Sequence, residues 1–97
     1  MSTVTVVAKV TAKSDAIEAV KTELLKMIAP TRKEEGCIEY RLHQDNDNPA
    51  VFAFYENWMD ISYLEQHMKS QHFLVYVAAV GDLIAEKIVY KMTEVNP

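Results

Sequence analysis

Glycine occurs only twice in this 97-residue chain, as Gly36 and Gly81. A phosphate-cradling loop needs several positions without side chains, so nucleotide, flavin and nicotinamide binding of the usual kinds are argued against. Cysteine is scarcer still. Cys37 stands alone, so no internal disulfide can form, which fits a reducing cytoplasm. Ten Lys and Arg face fourteen Asp and Glu, a formal net charge of −4. With no basic patch to neutralise phosphates, neither nucleic acid nor an anionic membrane surface is an expected partner. Long apolar runs are also missing, which excludes a membrane-spanning helix. The residues after Met1 alternate with Thr and Lys instead of forming the apolar core of a signal peptide. No serine occupies a nucleophile-elbow context. His67 and His72 are five residues apart, so they are not the i, i+4 pair of a helical zinc site.

What is present is a chain with 49% hydrophobic residues, enough for one core, read as a single domain over 1–97. Thr3 to Thr11 alternates, with Val4, Val6, Ala8 and Val10 on one face, and reads as a strand. Ser14 and Asp15 are candidate N-caps for an amphipathic helix carrying Ile17, Val20, Leu24, Met27 and Ile28, which Pro30 should end or kink. Gly36 marks a turn. Cys37 to Gln44 alternates again, with Ile38, Tyr40 and Leu42 opposite Glu39, Arg41 and His43, and the Asp45–Pro49 turn joins it to the next strand as a hairpin. Asp60 can cap a helix carrying Ile61, Leu64 and Met68, and Ser70 one carrying Phe73, Val77 and Val80, with Gly81 at its C′ position. Lys87 to Val95 returns to the sheet as a last strand.

Strand, helix, strand, strand, helices, strand is the split βαβ order of the α+β ferredoxin-like fold, a four-stranded antiparallel sheet with helices on one face. Val51 to Tyr55 is apolar on both faces, yet one small domain's helices cover only one. A second copy is the economical cover for the other, which predicts a homodimer of facing sheets with barrel-like walls around an interior pocket.

The third strand holds the most informative residues. At period two, Phe52, Phe54, Glu56 and Trp58 point one way. A carboxylate among aromatic rings is costly to bury. Glu56 therefore either finds a partner such as Arg41, His67 or His72, stays at a wet edge, or sits in a pocket with its proton affinity raised for use. His72 opens a helix, where the positive end of the dipole favours a neutral imidazole able to act as a base or simply to cap and pack. His67, near a helix C-terminus, reads as a structural residue, and His43 as exposed. Trp58 and the phenylalanines are core and interface residues first, though aromatic walls are also what a flat ligand stacks on. Tyr40 can orient a substrate oxygen or be a satisfied core residue, and Cys37 reads as a small buried one.

Three stretches resemble the antibiotic biosynthesis monooxygenase (ABM) domain family, including its quinol monooxygenase-like members: Pro30 to His43, Phe52 to Trp58, and Leu64 to His67 with His72-Phe73. The resemblance implies a dimeric α/β barrel with a pocket in each subunit. In several members it also implies oxygenation of a phenol or quinol by dioxygen with neither metal nor organic cofactor. The same scaffold serves haem degradation, isomerisation of a small phosphorylated sugar derivative, and proteins of unknown role, so membership speaks more for fold than for substrate. Haem-degrading relatives depend on an asparagine in the first strand, and Thr3 to Thr11 has none. The expected activity is thus a cofactor-independent monooxygenase acting on a small phenol or quinol. Glu56 and His72 are its candidate catalytic residues, and Tyr40, Phe54, Trp58, His67, Phe73 and Tyr76 its candidate substrate contacts. The alternatives are an isomerase that moves a proton beside a carbonyl and a small-molecule binding protein without turnover.

Overall fold

A computed structural model describes residues 3–97. Its elements run β1 (Val4–Ala12), α1 (Ile17–Arg32), β2 (Cys37–Gln44), β3 (Val51–Trp58), α2 (Ile61–Met68), α3 (Gln71–Val80) and β4 (Ile84–Met92). The strands form one antiparallel sheet in the order β2-β3-β1-β4. With three helices beside it, this is the ferredoxin-like α+β fold expected from the element order. Among the described residues no helix is long and apolar enough to cross a membrane.

Register decides which residues face the helices. Val6 lies opposite Glu56, Ala8 opposite Phe54 and Val10 opposite Phe52, while Tyr40 and Leu42 of β2 oppose Glu56 and Phe54. These side chains meet Val20, Leu24 and Met27 of α1, Leu64 of α2, and Tyr76 and Val80 of α3 in the core. On the other face, Val7, Tyr55 and Tyr90 form a row across β1, β3 and β4. Beside it runs a polar chain in which Thr5 Oγ1 donates to Asn57 Oδ1 at 2.6 Å and Asn57 Nδ2 donates to Glu39 Oε1 at 2.7 Å.

Several details depart from the sequence expectation. Neither Ser14 nor Asp15 caps α1; Ala16 stands at its N-cap without a side-chain hydrogen bond, and the turn closes through the backbone, with Ala16 N donating to Lys13 O at 2.9 Å. Pro30 does not end the helix, which continues to Arg32. In the last turn its missing N–H forfeits only one bond, and the end is held by fully buried Thr31 and by Arg32 Nε donating to Tyr40 O at 3.1 Å. A register shift between Cys37 and Glu39 turns Ile38 out to solvent, although Tyr40 and Leu42 stay inside. A second shift at Thr11/Ala12 hides the start of β4, which begins at Ile84 and ends at Met92 instead of spanning Lys87 to Val95. Bulges of this kind break the two-residue period on which a strand is recognised.

The short helices also turn differently. Asp60 and Ser70 cap α2 and α3 as expected, accepting from the backbone N–H of Ser62 and Phe73. In α2, Leu64 and His67 are buried while Ile61 and Met68 are exposed; in α3, Tyr76 and Val80 are buried and Val77 is exposed. Gly81 is right-handed (φ −49°) and is the C-cap of α3, not a left-handed C′ residue. Gly36 is left-handed (φ 84°), and a Cβ there would stand 2.2 Å from Cγ of the Tyr63 ring. Gly36→Ala is expected to destabilise the fold by at least about 1–3 kcal/mol, since backbone strain and ring clash act together. Urea denaturation measures this, and an unchanged midpoint would contradict the packing described.

Candidate functional site

The cavity that gathers the predicted residues lies between the helices and the inner face of the sheet, within a single chain. It lies on the helix side of the sheet, whereas the barrel argument from β3 concerns the opposite face. Two adjoining lobes, of about 60 and 80 Å³, share Ala8, Glu56, His67, Phe73, Lys87 and Val89. Tyr40, Phe54 and Tyr76 line the first lobe, and Leu64, Met68 and Lys91 the second. Helices cover β2, β3 and β1 but leave the inner side of β4 open, where Val89 is 43% exposed. Lys87 and Lys91, on that same inner side by register with Val10 and Val6, flank the opening.

Glu56 sits in this wall, 4% exposed. None of Arg41, His67 and His72 is its hydrogen-bond partner. Trp58 Nε1 donates to Glu56 Oε1 at 2.9 Å, two residues along the same strand face, while Arg41 pairs with Glu39 at 3.1 Å. Burial pushes the Glu56 carboxyl up to about 7; the Trp58 bond opposes this and the negative charge of Glu34 adds to it. Trp58 is fully buried and does not line either lobe, so its visible task is to hold Glu56 in place. Tyr40 stacks on Phe54 with ring centroids 4.3 Å apart. Burial and then the Glu56 charge raise the Tyr40 hydroxyl, and burial pushes Tyr76 up to about 12, so both remain protonated donors near neutrality.

The two histidines converge on a residue that periodicity did not reveal. Glu34 lies in the turn between α1 and β2, and its Oε2 stands 2.6 Å from His67 Nδ1 and 2.8 Å from His72 Nε2. His67 lines the cavity and packs against Trp58, Tyr40 and Phe73. Burial lowers its proton affinity, against the opposing pull of Glu34. With Nδ1–H donated to the carboxylate, the neutral ring carries its lone pair on Nε2. His72 does not share the cavity with Glu56. It lines a groove of about 380 Å³ together with Glu23, Lys26, Met27, Gln71, Val75 and Tyr76, and its ring stands 5.9 Å from that of His67 between centroids, with Glu34 bridging the two.

The spacing argument against a metal covers a pair on one helix. Here the histidines come from α2 and α3, and the donor atoms of Glu34, His67 and His72 all lie within 4.8 Å of one another. Cys37 is half-buried, and burial followed by the charges of Glu34 and Glu56 pushes its thiol up to about 11, which leaves it an inert thiol, in line with its reading as a small packed residue. His43 is exposed, as expected. The signal that pointed toward Glu34 is the stretch Pro30 to His43 itself, which contains two adjacent acids just before the left-handed Gly36.

Residues 3–79 match the family described as antibiotic biosynthesis monooxygenase. Rv0793 of Mycobacterium tuberculosis, a provisionally named monooxygenase, is 36% identical over 87 residues, which cover 90% of this chain and 85% of that protein. Its solved structure superposes with a TM-score of 0.92 over 99% of this chain and 98% of that one, at 32% identity. The crystal structure of PA3566 from Pseudomonas aeruginosa gives a TM-score of 0.94 at 31% identity, covering 99% of this chain and 97% of that one. With a family match over most of its length and relatives above 30% identity across nearly all of it, the chain belongs to the antibiotic biosynthesis monooxygenase family.

Proposed function

We propose that the protein is a monooxygenase of small phenols or quinols, with Glu56 as the base that prepares the substrate for dioxygen. The observation that carries this reading is an ionisable carboxylate in the wall of an aromatic-lined cavity, its proton affinity raised toward neutral pH. A base of that strength is half or more ionised at pH 7 and above and can take the phenolic proton in the transition state. The resulting phenolate is electron-rich and can reduce dioxygen directly. One oxygen atom enters the ring and the other leaves as water, the substrate supplying all four electrons and departing at the quinone level of oxidation. No step in this sequence passes through a metal.

The enclosed lobes are small against the roughly 300–1,000 Å³ of typical ligand pockets. A single ring takes up both lobes together, and any larger substrate extends through the opening beside β4. In this reading Tyr40 and Tyr76 donate to its oxygen atoms, and Phe54 and Phe73 pack against the ring. His67 orients the same wall, and His72 is a positioning residue acting through Glu34. Oxygen consumption over a panel of hydroquinones and naphthols tests the reading, with uptake expected for members whose reacting ring fits the lobes. Absence of uptake across the panel, with proton exchange at a carbon beside a carbonyl instead, would make the protein an isomerase.

A further inference from the structure

We infer that Glu34, His67 and His72 form a binding site for one divalent transition-metal ion. This departs from the metal-free expectation of the sequence and does not require the pocket chemistry proposed above, although it shares His67 with the cavity wall. Two imidazole nitrogens and a carboxylate oxygen, supplied by the α1–β2 turn, α2 and α3, lie within 4.8 Å of one another. Glu34 Oε2 stands 2.6 and 2.8 Å from the two nitrogens, in the place an ion bound to both would take; at metal–ligand distances of about 2.1 Å the carboxylate withdraws and the two rings close on the ion from the 4.8 Å that spans the donor atoms.

Charge favours a cation there. The cluster sets one carboxylate between two imidazoles, and among the described residues no Lys or Arg pairs with that carboxylate. The donors are partly enclosed yet reachable, since His72 opens onto the groove beside α3 and its side chain is 24% exposed. Two imidazoles with one carboxylate suit zinc, iron(II) or cobalt(II) rather than magnesium or calcium, and three protein ligands leave coordination positions open. An ion bound to Nδ1 of His67 moves that ring's proton to Nε2. The cavity wall then presents a donor where the metal-free protein presents an acceptor, so metal occupancy is communicated to the pocket.

The test is a titration of the chelator-treated full chain with cobalt(II) and zinc(II), read by the visible absorption of bound cobalt and by calorimetry, with magnesium(II) as the comparison ion. The expected result is one cobalt or zinc per chain and no saturable magnesium binding. Glu34→Gln and His72→Gln, both close in shape to the originals, should weaken binding by more than the roughly 10–100-fold that losing an outer-shell partner costs. His43→Ala, which removes the exposed histidine, should leave it unchanged. Circular dichroism on each variant confirms that the fold is retained. No saturable cobalt or zinc binding, or affinity that survives both Gln substitutions, would overturn the assignment. Neither readout depends on turnover, so a failed oxygenase assay leaves this result standing and the converse holds too.

Discussion

Glu56→Gln is expected to abolish most turnover while making the protein more stable above neutral pH. Loss of a general base costs about 10²- to 10⁴-fold in rate, so the kinetic effect stands clear of small changes in folding. The stability effect follows from linkage. In the folded chain burial pushes the carboxyl up to about 7, against its ordinary value of 4.5 in the unfolded chain. Between those values the folded protein holds a proton that the unfolded chain has lost, so stability is greatest below about pH 4.5 and falls as pH rises through about 7. A shift of that size corresponds to about 3 kcal/mol at its fullest. A glutamine keeps the acceptor for Trp58 Nε1 without the buried charge. The variant should therefore melt several degrees above the parent at pH 8 and close to it at pH 4.5. In the parent, kcat/KM should rise with pH through about 7 as Glu56 ionises. A variant that retains turnover and melts lower at pH 8 would make Glu56 a structural acceptor.

The second large effect concerns assembly. The protein is expected to sediment at about twice its 11.1 kDa chain mass at micromolar concentration. The sheet face away from the helices carries Val7, Ala53, Tyr55, Ile88 and Tyr90 by register, with Lys9 between Ala53 and Ile88, and Tyr55 is 40% and Tyr90 51% exposed in the single chain. Apolar surface gathered on one flat face marks an interaction site, and a face of this kind pairs with its own copy about a two-fold axis. Tyr55→Asp places a charge at the middle of that face and should yield a folded species of single-chain mass. The helix-side cavity lies on the opposite face, so its lining residues keep their places in that variant. A parent protein that is folded and monomeric at these concentrations would remove the basis for a shared barrel.

How far the residues themselves announced this structure depends on which physical rule governs each position. The strands and helices were legible because burial on one face imposes a period, as in Val6 and Val10 of β1 or Val20 and Leu24 of α1. Glu56 was legible for the same reason, an acid in phase with Phe52, Phe54 and Trp58. Ile38 and the start of β4 were misplaced because bulges break the period locally. Met68 and Val77 were assigned inward because an eight- or ten-residue helix offers too few turns to separate i+3 from i+4 stripes. Glu34 escaped because it stands in a turn, where no period applies, and meets His67 and His72 across 33 and 38 residues of chain. Only the packing of α2 and α3 over the α1–β2 turn brings the three together.

In the proposed mechanism Glu56 activates a phenolic substrate for direct reaction with dioxygen. Turnover of an accepted hydroquinone or naphthol under ¹⁸O₂, followed by mass spectrometry of the product, tests it most directly. One labelled oxygen atom per product molecule is expected from the parent protein, and almost none over the same interval from Glu56→Gln. Product that carries only solvent oxygen, or label incorporated equally well by the variant, would contradict it.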